Sequence, residues 1–161
     1  MKKLSYLIIV LLSGVSFAQD IDEQDDSFIS ERNKTVLSFD IKQPFTQVKP
    51  ASCNQFEPVG LQQGNIDTYK DILTKYMYSY LNSEYYTLSG DFTFTLSIDK
   101  EGKLKDIVGL PAVRNSEVFF EDMKYIFRRI KETWKPATCN GVPVDSQLKI
   151  KMSFTSTNIE A

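Results

Sequence analysis

The stretch from Trp134 to Val144, Trp-Lys-Pro-Ala-Thr-Cys-Asn-Gly-Val-Pro-Val, constrains this chain more than any other. Pro136 cannot continue a helix and pushes Lys135 towards extended backbone, so a helix arriving from upstream must end near Trp134. Asn140 and Gly141 both tolerate positive φ, which suits a two-residue reversal. Pro143 allows a strand only at its first residues or on a sheet edge. Beyond it Val144, Leu148, Ile150, Met152 and Phe154 fall on one face, and Asp145, Gln147, Lys149, Lys151, Ser153 and Thr155 on the other. That period of two predicts a half-buried antiparallel strand.

The elements upstream have their own periods. Asn65 is placed to cap a helix, with Asp67 in its first turn. Ile66, Tyr69, Leu73, Tyr76, Met77 and Tyr80 then recur at helical spacing to about Asn82. The tyrosine row invites a sugar- or base-stacking role, but amphipathic rings at a core margin explain it more simply. Phe92, Phe94, Leu96 and Ile98 alternate with Thr93, Thr95 and Ser97, a strand pattern. Asp99-Lys100-Glu101-Gly102 reads as a hairpin connection, and the partner strand runs from Lys103 to about Leu110 with Leu104, Val108 and Leu110 inward. Asp99, Glu101 and Asp106 lack the ligand spacing and closing glutamate of a calcium loop.

A second helix begins at Asn115-Ser116-Glu117, after Pro111 has broken the strand. Phe119, Met123, Ile126, Phe127, Ile130 and Trp134 make one apolar stripe for it. Lys124, Arg128, Arg129 and Lys131 occupy its other faces, as a solvated surface rather than a basic patch. The order helix, strand, strand, helix, strand predicts an α+β fold over residues 65–157: a small antiparallel sheet covered on one face by two helices.

The chain begins Met1-Lys2-Lys3, continues with an apolar run from Leu4 to Phe17 and reaches Ala18 before Gln19. This is the pattern of a cleaved secretory signal over residues 1–18 and directs the chain to the periplasm; the run is short for a retained inner-membrane anchor. Loss of Lys2 and Lys3 with the signal leaves 17 basic against 21 acidic residues, a net charge of −4. A mildly acidic chain without a polybasic tract is a poor partner for nucleic acid or an anionic membrane. Residues 19–43 read as an acidic flexible lead-in, in which Val36 to Ile41 suits a short strand. Residues 44–64 hold Pro44, Pro50, Pro58, Gly60 and Gly64 and read as an irregular arm. Cys53 and Cys139 stand in an exported chain, where disulfides persist, although spacing leaves two buried thiols open.

Several chemistries are missing. The 161 residues contain no histidine, which excludes His-based triads and most zinc or haem sites. Two distant cysteines make no redox pair, and the seven glycines form no phosphate loop. No pair of carboxylates is set to face one cleft. The reading is of a chain without enzymatic activity, cofactor or metal.

The second half resembles the C-terminal domain of TonB, in the form common in periplasmic proteins of the Bacteroidetes group. The resemblance rests on Gly90-Asp91-Phe92 through Ile98-Asp99-Lys100-Glu101-Gly102-Lys103, on Trp134-Lys135-Pro136-Ala137, on Asn140-Gly141-Val142-Pro143-Val144 and on a last strand ending at Phe154. It covers about residues 65 to 156. It implies a domain that grips a short segment of an outer-membrane receptor as an added strand. The chain departs from TonB in having no proline-rich spacer, in Tyr85-Tyr86 where Tyr-Pro is usual, and in Lys149 and Lys151 on the last strand, charges that often guard an edge.

The resemblance and the alternating last strand lead to one functional expectation. A periplasmic interaction module binds a peptide or envelope protein, an outer-membrane receptor among the candidates, through an edge strand made of Gln147, Leu148, Lys149, Ile150, Lys151, Met152, Ser153 and Phe154. Trp134, Pro136, Asn140, Gly141 and Pro143 are its structural motif. The alternatives are a structural, peptidoglycan-associated protein or one that forms a homodimer through the last strand, and an energy transducer that keeps its N-terminal segment as an anchor.

Overall fold

A computed structural model describes residues 34–82, 85–114, 116–131 and 134–159. The expectations for a signal at residues 1–18 and for a flexible segment at 19–33 lie outside the described residues. The described chain is an α+β fold with antiparallel sheets and two helices. Its main sheet has the order β1 (Lys34–Ile41), β10 (Ser146–Ile159), β5 (Ser89–Ile98), β6 (Leu104–Leu110), and the short β2 (Thr46–Gln47) also pairs with β10.

Helix α1 (Ile66–Tyr80) starts where its cap dictates. The Asn65 side chain accepts the Thr68 N–H at 2.9 Å, and the Thr68 hydroxyl reaches back to the Asn65 N–H at 3.5 Å. Two donors that a helix end leaves orphaned are thereby satisfied. Tyr69, Leu73 and Met77, one turn apart, are its buried stripe. Helix α2 (Glu117–Arg129) buries Phe119, Met123, Ile126 and Phe127. The Phe119 ring lies 5.5 Å from Phe92, 6.1 Å from Phe94 and 5.0 Å from Phe154, so α2 packs across both central strands. Tyr86 joins this cluster, 5.7 Å from Phe119. Its hydroxyl donates to the Asp122 carboxylate, and burial followed by that neighbour pushes its ionisation well above the usual phenol range.

The apolar stripe of α2 does not continue as helix to Trp134. The helix stops at Arg129, Ile130 turns extended, and Trp134 belongs to β7 (Trp134–Lys135), which pairs with β4 (Gly60–Leu61). Trp134 reaches the same core from a strand and packs 4.8 Å from Tyr69. The next reversal follows the sequence closely. Asn140 and Gly141 have φ of 52° and 81° and join β8 (Ala137–Cys139) to β9 (Val142–Val144). Pro143 sits in β9, which among the described residues pairs with β8 alone. The strand expected to run on from Val144 is split at Asp145, with β9 in one sheet and β10 in another.

The β5-β6 hairpin turns at Asp99, whose Oδ1 accepts the Glu101 and Lys103 N–H groups at 3.0 and 2.8 Å. Gly102 has φ of 78°, and a Cβ there would stand 2.1 Å from the Trp134 carbonyl oxygen. Glycine is thus required twice, for the conformation and for the close approach of β7. A bulge follows at once: Ile98 faces Leu104 while Ser97 faces Asp106, leaving Lys105 unmatched. The extra residue shifts the phase of β6. Ile107 points into the core at 1% exposure, whereas Val108 and Leu110, expected inward, are 45% and 56% exposed.

The largest departure concerns Gln147 to Phe154. These residues do not form a free edge. On one side they pair with Ser97 through Gly90 of β5. On the other, Leu148 and Lys149 face Gln47 and Thr46 of β2, and Met152, Ser153 and Phe154 face Ile41, Asp40 and Phe39 of β1. Between the two segments the Lys42 N–H donates to the Lys151 carbonyl at 2.8 Å. The physical reason is burial: Leu37 and Ile41 of β1 enter the core beside Met152 and Phe154. The short strand expected at Val36 to Ile41 within the lead-in is β1, which starts at Lys34 and belongs to the main sheet.

The arm at 44–64 is held rather than loose. Cys53 and Cys139 form a disulfide with Cα atoms 5.5 Å apart, and β3 (Phe56–Glu57) pairs with β8 beside it. The Gln55 N–H donates to Asn140 Oδ1 at 3.0 Å and the Asn140 N–H donates to the Gln55 carbonyl at 2.7 Å. The Gln47 side chain accepts the Val59 N–H and donates to the Val59 carbonyl, at 2.6 and 2.9 Å, closing the arm onto β2.

Candidate functional site

With β10 enclosed, the main sheet ends at β1 on one side and at β6 on the other. The β6 edge is the one flanked by the more exposed apolar side chains. This strand pairs with β5 alone, so its outer row of N–H and C=O groups has no strand partner among the described residues. The bulge places Val108 and Leu110 on the face away from Phe120, in register with Thr95 and Thr93. Gly109 between them faces inward, where a Cβ would meet the Phe120 ring at 2.4 Å. Val113 and Val118, further along the chain, are exposed as well. An unpaired strand edge beside exposed branched side chains is a template for another strand.

The first half of β6 is guarded and the second half is not. Lys105 Nζ lies 3.8 Å from Asp99 Oδ2, and Asp106 is the next residue. The Lys103 N–H, ahead of the Glu101 N–H and the Lys105 charge, holds Asp99 below the usual carboxylate range against its own desolvation. A hollow of about 550 Å³ opens here, lined by Ser97, Asp99, Lys105, Asp145, Ser146 and Gln147. From Ile107 to Leu110 the strand carries no charge.

The other residues singled out by sequence fall into structural places. Trp134, Pro136, Asn140, Gly141 and Pro143 shape β7 to β9, and the buried Gly102 of the β5-β6 turn docks against the first of them. The tyrosine row divides. Tyr69 is fully buried, while Tyr76 stacks on Tyr80 at 5.7 Å and Tyr80 meets Tyr125 edge-on at 5.5 Å. Arg129 lies against Tyr80, so the outer rings satisfy one another. Val108 and Leu110 are the surface residues that sequence reading assigned to the core. The signal was present: Lys105-Asp106 followed by Ile107-Val108 is a doubled polar then a doubled apolar step, which strict alternation does not contain.

Comparison with family models, with curated proteins and with solved structures finds no match to this chain. Among the described residues no helix is long and apolar enough to cross a membrane.

Proposed function

We propose that this chain is a protein-interaction module of the cell envelope, which receives an extended segment of a partner as an added strand along β6. The carrying observation is the unpaired β6 edge with Val108 and Leu110 exposed beside it. In strand addition the ladder gives affinity and alternate side chains give specificity. Support also comes from the opposite side of the sheet, where β10 already accepts extended segments of its own chain in β1 and β2. The order α1, β5, β6, α2, β10, with the β8-β9 hairpin ahead of the last strand, supports the resemblance to the TonB C-terminal domain. The disulfide supports an oxidising compartment, the periplasm in this reading. A link to outer-membrane transport rests on the resemblance alone.

The test is capture from envelope extract by the intact chain and by a Val108→Lys, Leu110→Lys variant. The partner should be retained by the intact chain, lost by the variant of equal melting temperature, and should slow amide exchange in β6. A partner that binds both and protects other strands instead would refute the β6 reading. N-terminal sequencing from the envelope addresses the transducer alternative, since a mature terminus at Gln19 removes the anchor it needs.

A further inference from the structure

Strand β6 carries one charge that the fold does not balance. Its register sets Asp106 opposite Ser97, Val108 opposite Thr95 and Leu110 opposite Thr93. With side chains alternating after the bulge, these three stand in a row on the face away from Phe120. Asp106 is exposed, and its carboxylate makes no hydrogen bond or ion pair among the described residues. Lys105, the other charge of the strand, is engaged by Asp99 of the turn, with Nζ 3.8 Å from Oδ2. On the inner side the neighbour of Asp106 is the uncharged Ser97, and on the outer side lies the open edge.

A segment added to this edge meets these residues one by one. Directly opposed residues bring their Cβ atoms to about 4.5–5.5 Å, where opposite charges attract, like charges repel and apolar pairs gain contact. A residue opposite Asp106 is therefore favoured as lysine or arginine and disfavoured as aspartate or glutamate. Residues opposite Val108 and Leu110, on the same face, are favoured as apolar. The position between those two lies beside Gly109, on the helix face. The half-buried Phe120 ring lies directly over that glycine, so an apolar side chain one strand further out borders the same ring. The four pairings of the main sheet among the described residues are all antiparallel, and this is also the more stable ladder per residue.

We infer that β6 selects an antiparallel segment reading three apolar residues, one unrestricted residue and then a lysine or arginine, with the cation opposite Asp106. This inference rests on the strand-addition reading of β6 and gives that edge its sequence preference. Backbone pairing alone accepts any extended segment, so discrimination comes from the side chains beside the ladder. The charge at the head of the edge repels acidic segments and segments set in the wrong register, and it attracts the matching one.

The probes are octapeptides, acetylated and amidated, titrated into the intact chain and into Asp106→Lys, with β6 amide exchange as the second readout. The first is Thr-Thr-Val-Val-Val-Thr-Lys-Thr. A second has threonine and a third glutamate in place of the lysine, and a fourth is the first in reverse order. The lysine form should bind the intact chain about threefold tighter than the threonine form and about tenfold tighter than the glutamate form, less so at high salt. The reversed peptide, of equal charge, should bind no better than the threonine form. In Asp106→Lys, at equal melting temperature, the order of lysine and glutamate forms should invert. An equal gain by the reversed peptide, or a lysine preference that survives Asp106→Lys, overturns the inference. Equal binding of all four with slowed β6 exchange overturns it too and leaves strand addition standing. Absence of any binding or β6 protection overturns the strand-addition reading itself, and the inference with it.

Discussion

The two sides of the main sheet are finished in opposite ways. On the β10 side the chain returns from more than a hundred residues away, lays β1 and β2 along the strand and drives Leu37 and Ile41 into the core. The Gln47 to Val59 hydrogen bonds and the Cys53–Cys139 disulfide then fasten the segment that follows. On the β6 side the fold supplies a bulge and the Lys105 and Asp99 pair, and among the described residues no strand pairs with the outer side of β6. Both edges began with the same hazard of unpaired backbone groups. On one side β1 becomes the outer strand and is fixed by its core residues, and on the other β6 is outermost and is defended only at its head. What distinguishes the β6 edge is that exposed Val108 and Leu110 lie beside it.

The comparison breaks most severely if the closed side is unfastened. Replacing Cys53 and Cys139 with serine reopens a loop of sequence separation 86 in the unfolded chain. The expected loss is ~4–5 kcal/mol on the chain-entropy model, measured by denaturant unfolding. A loss below about 1 kcal/mol would mean that hydrogen bonds and packing alone hold the arm. Next comes Ile41→Ala, which removes a side chain only 2% exposed at the β1 and β10 junction. It should cost ~2–5 kcal/mol and speed amide exchange along β10. A neutral result would show that β1 rests on the sheet without supporting it.

What could be read from sequence follows the range of the interactions involved. The Asn140-Gly141 turn, the Asn65 cap and the Phe119 to Ile130 stripe are specified by neighbours within a turn or two, and the structure bears them out. The inward set of β6 was misread because one unmatched residue, Lys105, reverses every side chain after it. The enclosure of β10 was invisible for a different reason. Its alternation of apolar and polar residues is the same whether one neighbouring strand is present or two, and the partner at Lys34 to Ile41 lies across the whole domain in sequence. The Cys53 to Cys139 pairing had the same character: export made it reasonable, and only geometry joined it.

The defended head of the open edge should show a pH signature. Asp99 titrates below its ordinary value of 3.8, first through the Lys103 N–H. A lowered folded value means that the unfolded chain takes up the proton more readily. The stabilising contribution of this turn is therefore complete above about pH 5 and is lost as pH falls from there through the depressed folded value. Asp99→Asn should remove that part of the acid-dependent loss, read as a flatter dependence of unfolding midpoint on pH. An unchanged slope would mean that other carboxylates govern acid sensitivity and that the turn is held by backbone geometry alone.

The smallest effect sharpens the comparison most. Val108→Lys and Leu110→Lys place charges on side chains that touch no buried cluster, so each should change stability by less than about 0.5 kcal/mol. The same substitution at Ile107, one residue from Val108 and 1% exposed, should prevent folding or cost several-fold more, because it buries an unpaired ammonium. Thermal unfolding of the three variants side by side reads the phase of β6 directly. If Val108→Lys proved as damaging as Ile107→Lys, the bulge would not set the orientation of this strand and its outer face would belong to the core. If it is silent in stability while abolishing strand addition, the outward turn imposed by Lys105 is what makes this edge a surface for another chain.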